Sequence, residues 1–367
     1  MPDQDAAVFT NEGIRVRTAR TCRLCGNQGQ SLYAGLRDRL FDAPGVWSLL
    51  RCDWCTLVWL DPQPIPEDIP KLYETYITHR DVSESSSATM GLREKVTTAT
   101  VASTLGYYQL LAGRRWIWAG RIAGAIPLLR DYATVPFMFL KASTGASLLD
   151  IGCGSGQFLA MMRDLGWEVE GVEPDPKSAR IAQETRRLRV QAGAVEQADL
   201  PSQSKDVITM THVIEHLPDP LAVLRRCYQI LRPEGLLVVA TPNVDSLLHR
   251  RFRRCWRGLE PPRHMLLFNP ATLGRFAKEA GFEISTIRTV TRASREIYIQ
   301  SSGIESESPY VFPNIPKRVK VGSWVFWFIE EMLRMASLNV GEEVVLRAMK
   351  PGEVDPKGLE TRPGSGS

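Results

Sequence analysis

The texture of the chain changes near residue 147. Beyond it, short apolar blocks recur: SLLDIG (147–152), WEVEGVE (167–173), VITMTHV (207–213), LLVVAT (236–241) and FEISTIRTV (282–290). Segments with helical spacing, at 157–165, 176–187, 219–231 and 270–280, lie between them. Apolar strands alternating with helices predict an α/β fold, a mostly parallel sheet covered on both faces. Gly281 falls where a helix-ending glycine belongs, just before FEISTI. Residues 300–340 interrupt the alternation, and EEVVLRAMK (342–350) reads as a last strand.

Upstream, the pattern is less regular. Residues 1–18 read as polar and irregular, and 19–60 hold four of the seven cysteines. DPQPIPEDIP (61–70) is a stiff proline-rich connector, KLYETYITH (71–79) reads as a short helix, and SESSSATMG (83–91) as a flexible break. Residues 92–142 are rich in Leu, Ala, Trp and Arg and should be helical. The predicted organisation is a cysteine module at 19–66, a helical connector or cap at 67–143, the α/β domain at 144–351 with a helical insertion near 300–340, and a disordered tail at 352–367.

Composition narrows the function classes. Of 367 residues, 44% are hydrophobic and 23% charged, an ordinary globular balance. A net charge of +4, from 45 basic against 41 acidic side chains, gives no concentrated basic face and argues against nucleic acid as the partner. No apolar run approaches the ~18 residues of a membrane span. The first residues, MPDQDAAVFTNEG, lack the basic and apolar regions of a signal peptide. A cytoplasmic chain is therefore expected, its cysteines thiols or metal ligands rather than disulfides.

The sharpest chemical signal is LLDIGCGSGQFL. A buried strand ends in Asp150, and Gly152, Gly154 and Gly156 then open a helix. Positions without side chains let a ligand touch the backbone. Glu173 closes the next strand, where an acid can grip ribose hydroxyls. The spacing is G-x-G-x-G rather than the G-x-G-x-x-G of dinucleotide enzymes.

On these residues, with VEGVEPDP, DVITMTHVIEHLPDP and LRPEGLLVVATPN, the chain resembles the class I S-adenosylmethionine-dependent methyltransferases over roughly 147–295 and again at 341–350. The resemblance implies a doubly wound, mostly parallel, seven-stranded Rossmann-like sheet. It also implies that Asp150, Gly152, Gly154 and Gly156 border the methionine part of the cofactor and that Glu173 holds the ribose. Ala194 and Val195 would flank the adenine, and Thr211 and His212 would edge the sulfonium. The chemistry implied is in-line displacement at a cationic methyl, with the protein aligning the reactants.

Cys22-x2-Cys25 and Cys52-x2-Cys55 are paired as the ligands of one closed, structural Zn2+ site are paired. TCRLCGN and RCDWCTLVWLDPQPIPEDIPKLYETY resemble the zinc ribbon that precedes the methyltransferase domain in a bacterial group tied to sugar and polysaccharide modification. Thr56 stands where that group often has Gly.

His212, His216 and His264 fall near the expected transfer site. His216 is the expected catalytic base, taking the proton of an acceptor hydroxyl, and His264 with Arg263 is expected to orient the acceptor. His212-x2-Glu215-His216 also resembles the E-x-x-E-H magnesium ligands of ubiquinone-pathway O-methyltransferases and small-RNA 2′-O-methyltransferases, which makes His212, Glu215 and His216 candidates for a second divalent ion.

Two stretches, 107–130 and 321–338, mix Trp, Phe, Leu and Ile with Arg. They read either as a helical cap over the substrate site or as a peripheral membrane contact. The expected activity is O-methylation of a hydroxyl on a sugar, glycan or glycolipid precursor. The alternatives are O-methylation of a quinone-like or other small natural product and, in another class, a zinc-ribbon binding protein with a vestigial cofactor fold.

Overall fold

The computed structural model describes residues 8–73, 91–111, 113–307, 314–336 and 338–352. The expected flexible break, most of the expected helix at 71–79 and nearly all of the tail lie outside them.

The irregular start expected at residues 1–18 is corrected. β1 (Val8–Asn11) and β2 (Ile14–Arg17) form an antiparallel hairpin, turned at Glu12 and Gly13 with φ of 50° and 94°. Its strands are too short for a readable period, yet Ile14 and Val16 are buried and Arg15 and Arg17 turn outward. β3 (Gln30–Leu36), β4 (Trp47–Arg51) and β5 (Val58–Asp61) follow as an antiparallel meander, and β6 (Gln63–Pro64) returns to β2.

The connector is helical as expected: α1 (Leu92–Leu105), α2 (Ile117–Ala125) and α3 (Pro127–Thr134). A Cβ on Gly120 would stand 2.1 Å from the Ala99 carbonyl, so α2 packs on α1 through its bare backbone.

The α/β domain runs β7 (Ser147–Ile151), α4 (Gln157–Asp164), β8 (Glu168–Glu173), α5 (Pro176–Glu184), β9 (Val190–Ala192), β10 (Lys205–Thr211), α6 (Pro220–Ile230) and β11 (Leu231–Pro242). It continues through α7 (Leu247–Phe252), β12 (Leu266–Leu267), α8 (Pro270–Glu279), β13 (Glu283–Val290), α9 (Ser294–Glu305), α10 (Lys317–Met335) and β14 (Glu343–Met349). The sheet order is β13-β14-β11-β10-β7-β8-β9. The strands from β7 to β11 are parallel, and β14 enters antiparallel to β11 and β13. This is the seven-stranded, mostly parallel, Rossmann-like sheet expected. α6 and α8 cover one face together with Cys22, Leu24, Cys52 and Trp59. α1, α4 and α5 cover the other, where Trp167 donates to the Tyr107 hydroxyl at 3.1 Å.

The cysteine module is built into the domain. β12 pairs with β5, so a strand from residues 266–267 completes the N-terminal sheet. The Leu60 amide donates to the Met265 carbonyl at 2.9 Å, and the Met265 amide to the Glu215 carbonyl at 2.8 Å. Arg263 is 0% exposed, with Nη1 2.7 Å from Asp38 Oδ2 and Nε 2.9 Å from Glu260 Oε1. It therefore joins the β3–β4 connection to the β11–β12 connection and is not the acceptor-orienting group expected.

Replacing Arg263 with Met leaves buried Asp38 without its cation and Glu260 with Arg257 alone, which costs ~3–5 kcal/mol. Urea denaturation should show that loss, and an unchanged midpoint would remove this ion pair as the tie between the two parts.

Candidate functional site

β7 and β10 are adjacent at the point where the strand order reverses, and the carboxyl ends of such strands form a ligand crevice. The turn after β7 needs glycine: Gly152, Gly154 and Gly156 have φ of 70°, 55° and 80°. A Cβ on Gly152 would strike Val213 at 2.3 Å and one on Gly156 would strike Leu188 at 2.4 Å, whereas one on Gly154 would meet nothing within 4 Å. The first and third glycines thus close the turn, and the second faces open space that a ligand can enter.

Glu173, at the end of β8, accepts from the Gly154 amide at 2.7 Å and the Asp175 amide at 2.9 Å. A carboxylate has about four acceptor sites, so it can brace the loop and still receive ribose hydroxyls. Burial, with the Asp175 charge adding to it, raises its pKa against those two bonds. Asp150 is buried and accepts from Thr209 Oγ1 at 2.6 Å. Burial first, then the field of Glu173, pushes it up to about 7. Val195 is buried and Ala194 exposed beyond β9.

A cavity of about 590 Å³ opens at this edge. Asp150, Gly152, Cys153 and Thr211 form its floor. Met138, Phe139 and Phe158 give it an apolar wall, and Arg292, Glu296 and Glu343 supply charge. These last three were not singled out in the sequence. Glu343 opens β14, and because that strand runs antiparallel its first residue meets the carboxyl ends of its neighbours, pairing with Pro242.

The histidines separate into two environments. His212 follows β10 with φ of 52°, an uncommon backbone for a non-glycine residue. Its Nε2 lies 2.6 Å from Glu343 Oε1 and its Nδ1 3.3 Å from Glu215 Oε1. Burial lowers its pKa, but the two carboxylates outweigh that and hold it well above the usual histidine range. Glu215 is pushed down to about 2, the His212 bond and the nearby imidazoles overcoming burial.

His216 and His264 are not among the cavity's lining residues. His216 Nδ1 lies 3.0 Å from the Arg263 carbonyl and 3.2 Å from the Tyr73 hydroxyl. Burial brings His264 down to about 4, and its Nδ1 donates to the Gly258 carbonyl at 2.7 Å. The candidate second-ion set is also corrected. Glu215, His216 and His264 have donor atoms within 4.8 Å of one another, while both nitrogens of His212 face carboxylates. One carboxylate and two imidazoles suit a softer ion than magnesium.

The four cysteines converge, with Cys22 Sγ 3.4 Å from Cys55 Sγ, Cys25 Sγ 3.4 Å from Cys52 Sγ, and all four within 4.8 Å. Each pair sits on the same turn: the Gly26 amide donates to the Cys22 carbonyl and the Thr56 amide to the Cys52 carbonyl. Thr56 takes the left-handed backbone, φ 66°, that Gly26 takes at 76°. Its hydroxyl accepts from Asn269 Nδ2 at 3.0 Å, which ties the second knuckle to the cap of α8.

Fold and crevice define an α/β protein with a nucleoside-type cradle. Residues 127–287 match the family model described as a methyltransferase domain. A ubiquinone biosynthesis O-methyltransferase of Xanthomonas campestris pv. campestris is 35% identical over 148 residues, 38% of this chain and 60% of that protein. A malonyl-[acyl-carrier protein] O-methyltransferase of Serratia marcescens is 29% identical over 160 residues, 43% of this chain and 62% of that protein. The chain thus spans less than two thirds of the length of these relatives. A solved S-adenosylmethionine-dependent methyltransferase of Archaeoglobus fulgidus superposes with a TM-score of 0.40 at 20% identity, covering 66% of this chain and 98% of that one.

The raised pKa of Asp150 has a signed consequence. Between about pH 4 and 7 the unfolded chain has lost this proton while the folded one keeps it, so stability falls as pH rises through that window. Asp150→Asn keeps an acceptor for Thr209 and should raise the unfolding free energy of the ligand-free protein above about pH 7 by ~1–4 kcal/mol. Denaturant titrations at several pH values check this, and parallel profiles for the two proteins would contradict it.

Proposed function

We propose that this chain transfers a methyl group from S-adenosylmethionine to a hydroxyl on an apolar, quinone-like or phenolic body. The observation that carries the reading is the cavity: it joins the glycine turn to an aromatic and aliphatic wall and has Glu343 on its rim. The apolar wall of Met138, Phe139 and Phe158 offers a ring a surface to lie on, and the charged groups of the lining lie outside that wall. The ubiquinone O-methyltransferase relatives support the same acceptor class.

The residues fit the cofactor. The open side of Gly154, the Gly152 backbone and Asp150 would hold its amino-acid end, and Glu173 its ribose. When bound it supplies a methyl on a cationic sulfur and a neutral thioether leaving group. The remaining chemistry is the protein's. The apolar wall excludes water and orients the ring, and Glu343 accepts the proton of the acceptor hydroxyl as the carbon–oxygen bond forms. His212, held between Glu343 and Glu215, fixes the direction of Glu343. His216 then acts as a loop-holding residue through the Arg263 carbonyl.

Glu343→Gln should lower kcat by ~10²–10⁴ with cofactor affinity retained. Steady-state kinetics with labelled S-adenosylmethionine decide this. Near-normal kcat would move the base elsewhere, with His216→Ala next. Label entering an organic-extractable phenol supports the acceptor class, and label confined to water-soluble glycan sinks it.

The four cysteines are proposed to hold one structural zinc. Tetrahedral thiolates at ~2.3 Å from zinc stand ~3.8 Å apart, close to the 3.4 Å separations within the cluster. Elemental analysis should return about one zinc per chain, and Cys55→Ser should lose it together with thermal stability. A metal-free native protein of unchanged stability would refute the site.

A further inference from the structure

α10 is turned inside out. Val321, Trp324, Val325, Phe328, Ile329, Met332 and Met335, at helical spacing, are exposed, Trp324 by 51% and Phe328 by 60%. The positions turned inward are Val319, Ser323, Glu330 and Glu331, with Phe326 packed beside Tyr298. An ordinary surface helix does the reverse. α2 and α3 repeat the pattern with Trp118, Ile122, Ile126 and Leu129, Trp118 being 70% exposed. α10 and α3 are joined on their inner sides, where Arg334 pairs with Asp131 at 2.9 Å.

The exposed charges within the two stretches themselves share one sign, although the flanking α1 and α9 expose Glu94, Glu296 and Glu305. Arg115, Arg121, Lys317 and Arg318 are exposed. The acidic side chains of the same stretches, Asp131, Glu330 and Glu331, are all buried. Cations sit against the aromatic rings as well: Arg121 lies 5.3 Å from the Trp118 centroid and Arg295 3.5 Å from that of Trp324.

We infer that this face docks on the surface of an anionic lipid bilayer. Tryptophan and long apolar side chains enter the headgroup–acyl boundary, and Lys and Arg meet the anionic headgroups. A second copy of the chain is the poorer occupant, because stacking stripe on stripe would set Arg115, Arg121, Lys317 and Arg318 against one another, while the acids of these same helices are buried. No helix among the described residues is long and apolar enough to cross a membrane, so the contact is peripheral.

The placement gives the docking a direction. Tyr132 follows Asp131 and lines the cavity. Arg292, which lines it too, follows Thr291, whose hydroxyl donates to Glu331 of α10 at 2.8 Å. The docked face therefore borders the cavity mouth, and an acceptor carried on a lipid tail enters without leaving the bilayer. That consequence rests on the transfer reading. The docking does not, since it is measured with neither cofactor nor acceptor.

The test is vesicle flotation of the full chain, using phosphatidylcholine alone and phosphatidylcholine with about 30% phosphatidylglycerol, at low and high salt. The chain should float with the anionic vesicles at low salt and markedly less at high salt. Lys317→Ala with Arg318→Ala should weaken partitioning about fivefold per cation removed. Trp324→Glu with Phe328→Glu should abolish it, and both sites are exposed, so the melting temperature should hold. Absence from the anionic vesicle fraction at low salt overturns the inference. So does undiminished flotation of the Trp324/Phe328 variant, or a dimer in light scattering that this variant disperses while the parent does not float.

Discussion

The buried guanidinium of Arg263 is the constraint on which the arrangement depends. It bonds Asp38 from the N-terminal module and Glu260 from its own loop, and it donates to the Leu72 carbonyl at 3.3 Å. Asp38 in turn receives the amides of Leu40, Phe41 and Ala43, so one ion pair shapes the whole 38–43 turn. The residues after Arg263 are then delivered to β5 as β12, and His264 is delivered to Glu215 and His216. An isolated charge at this depth would be prohibitive, and two carboxylates with a rigid donor fork make it tolerable. The pair need not stabilise the fold more than apolar residues would. What it secures is a single register between two modules that share a sheet.

Around the cavity the same economy of charge works at the strand ends. Parallel strands bring β7 and β10 to the edge with Asp150 and Thr211, while the antiparallel β14 brings its first residue to the same edge. Glu343 thereby meets His212 across the sheet although 131 positions separate them. The imidazolium between two carboxylates leaves one net negative charge rather than two, with the acceptor oxygens fixed in direction. Asp150, pushed up to about 7 by burial, is only partly ionised near neutrality and so brings less than a full negative charge beneath the glycine turn. When a cation occupies the crevice that balance reverses, since a nearby positive charge favours the ionised carboxyl.

What could be read from sequence follows from how local each cause is. The glycine turn was legible because its three positive-φ positions are written as three glycines in five residues, and the central strands because buried parallel strands are continuous apolar runs. The cysteine pairs were legible because each knuckle is a four-residue loop. The β1–β2 hairpin was not, as two strands of four residues carry no period. Glu343 was hidden inside an apolar strand pattern, and its exposure to the cavity depends on strand direction. The triad of Glu215, His216 and His264 was misread with His212 because sequence proximity favoured His212. The fold instead turns that side chain toward Glu343 and supplies His264 through the β5–β12 pairing.

α10 shows how the hydrophobic pattern can be read correctly and its direction mistaken. Its apolar stripe has the spacing of a core helix, and its polar residues would ordinarily face water. Glu331 turns inward to meet Thr291 and Arg334, as Asp131 of the neighbouring helix meets Arg288 and Arg334, while Glu330 is buried beside it with neither oxygen hydrogen-bonded. Those cations and hydroxyls are fixed by β13, α9 and α10 itself, so rotating the helix to bury its tryptophans would strand several charges in an apolar interior. The exposed stripe is thus the outward side of a helix whose inner face is anchored by the contacts of Glu331 and Arg334 with Thr291 and Asp131. That differs from the leftover surface of a loosely packed insertion, and it makes the stripe a standing feature of the fold, available to a surface whose chemistry is apolar beneath and anionic at the rim.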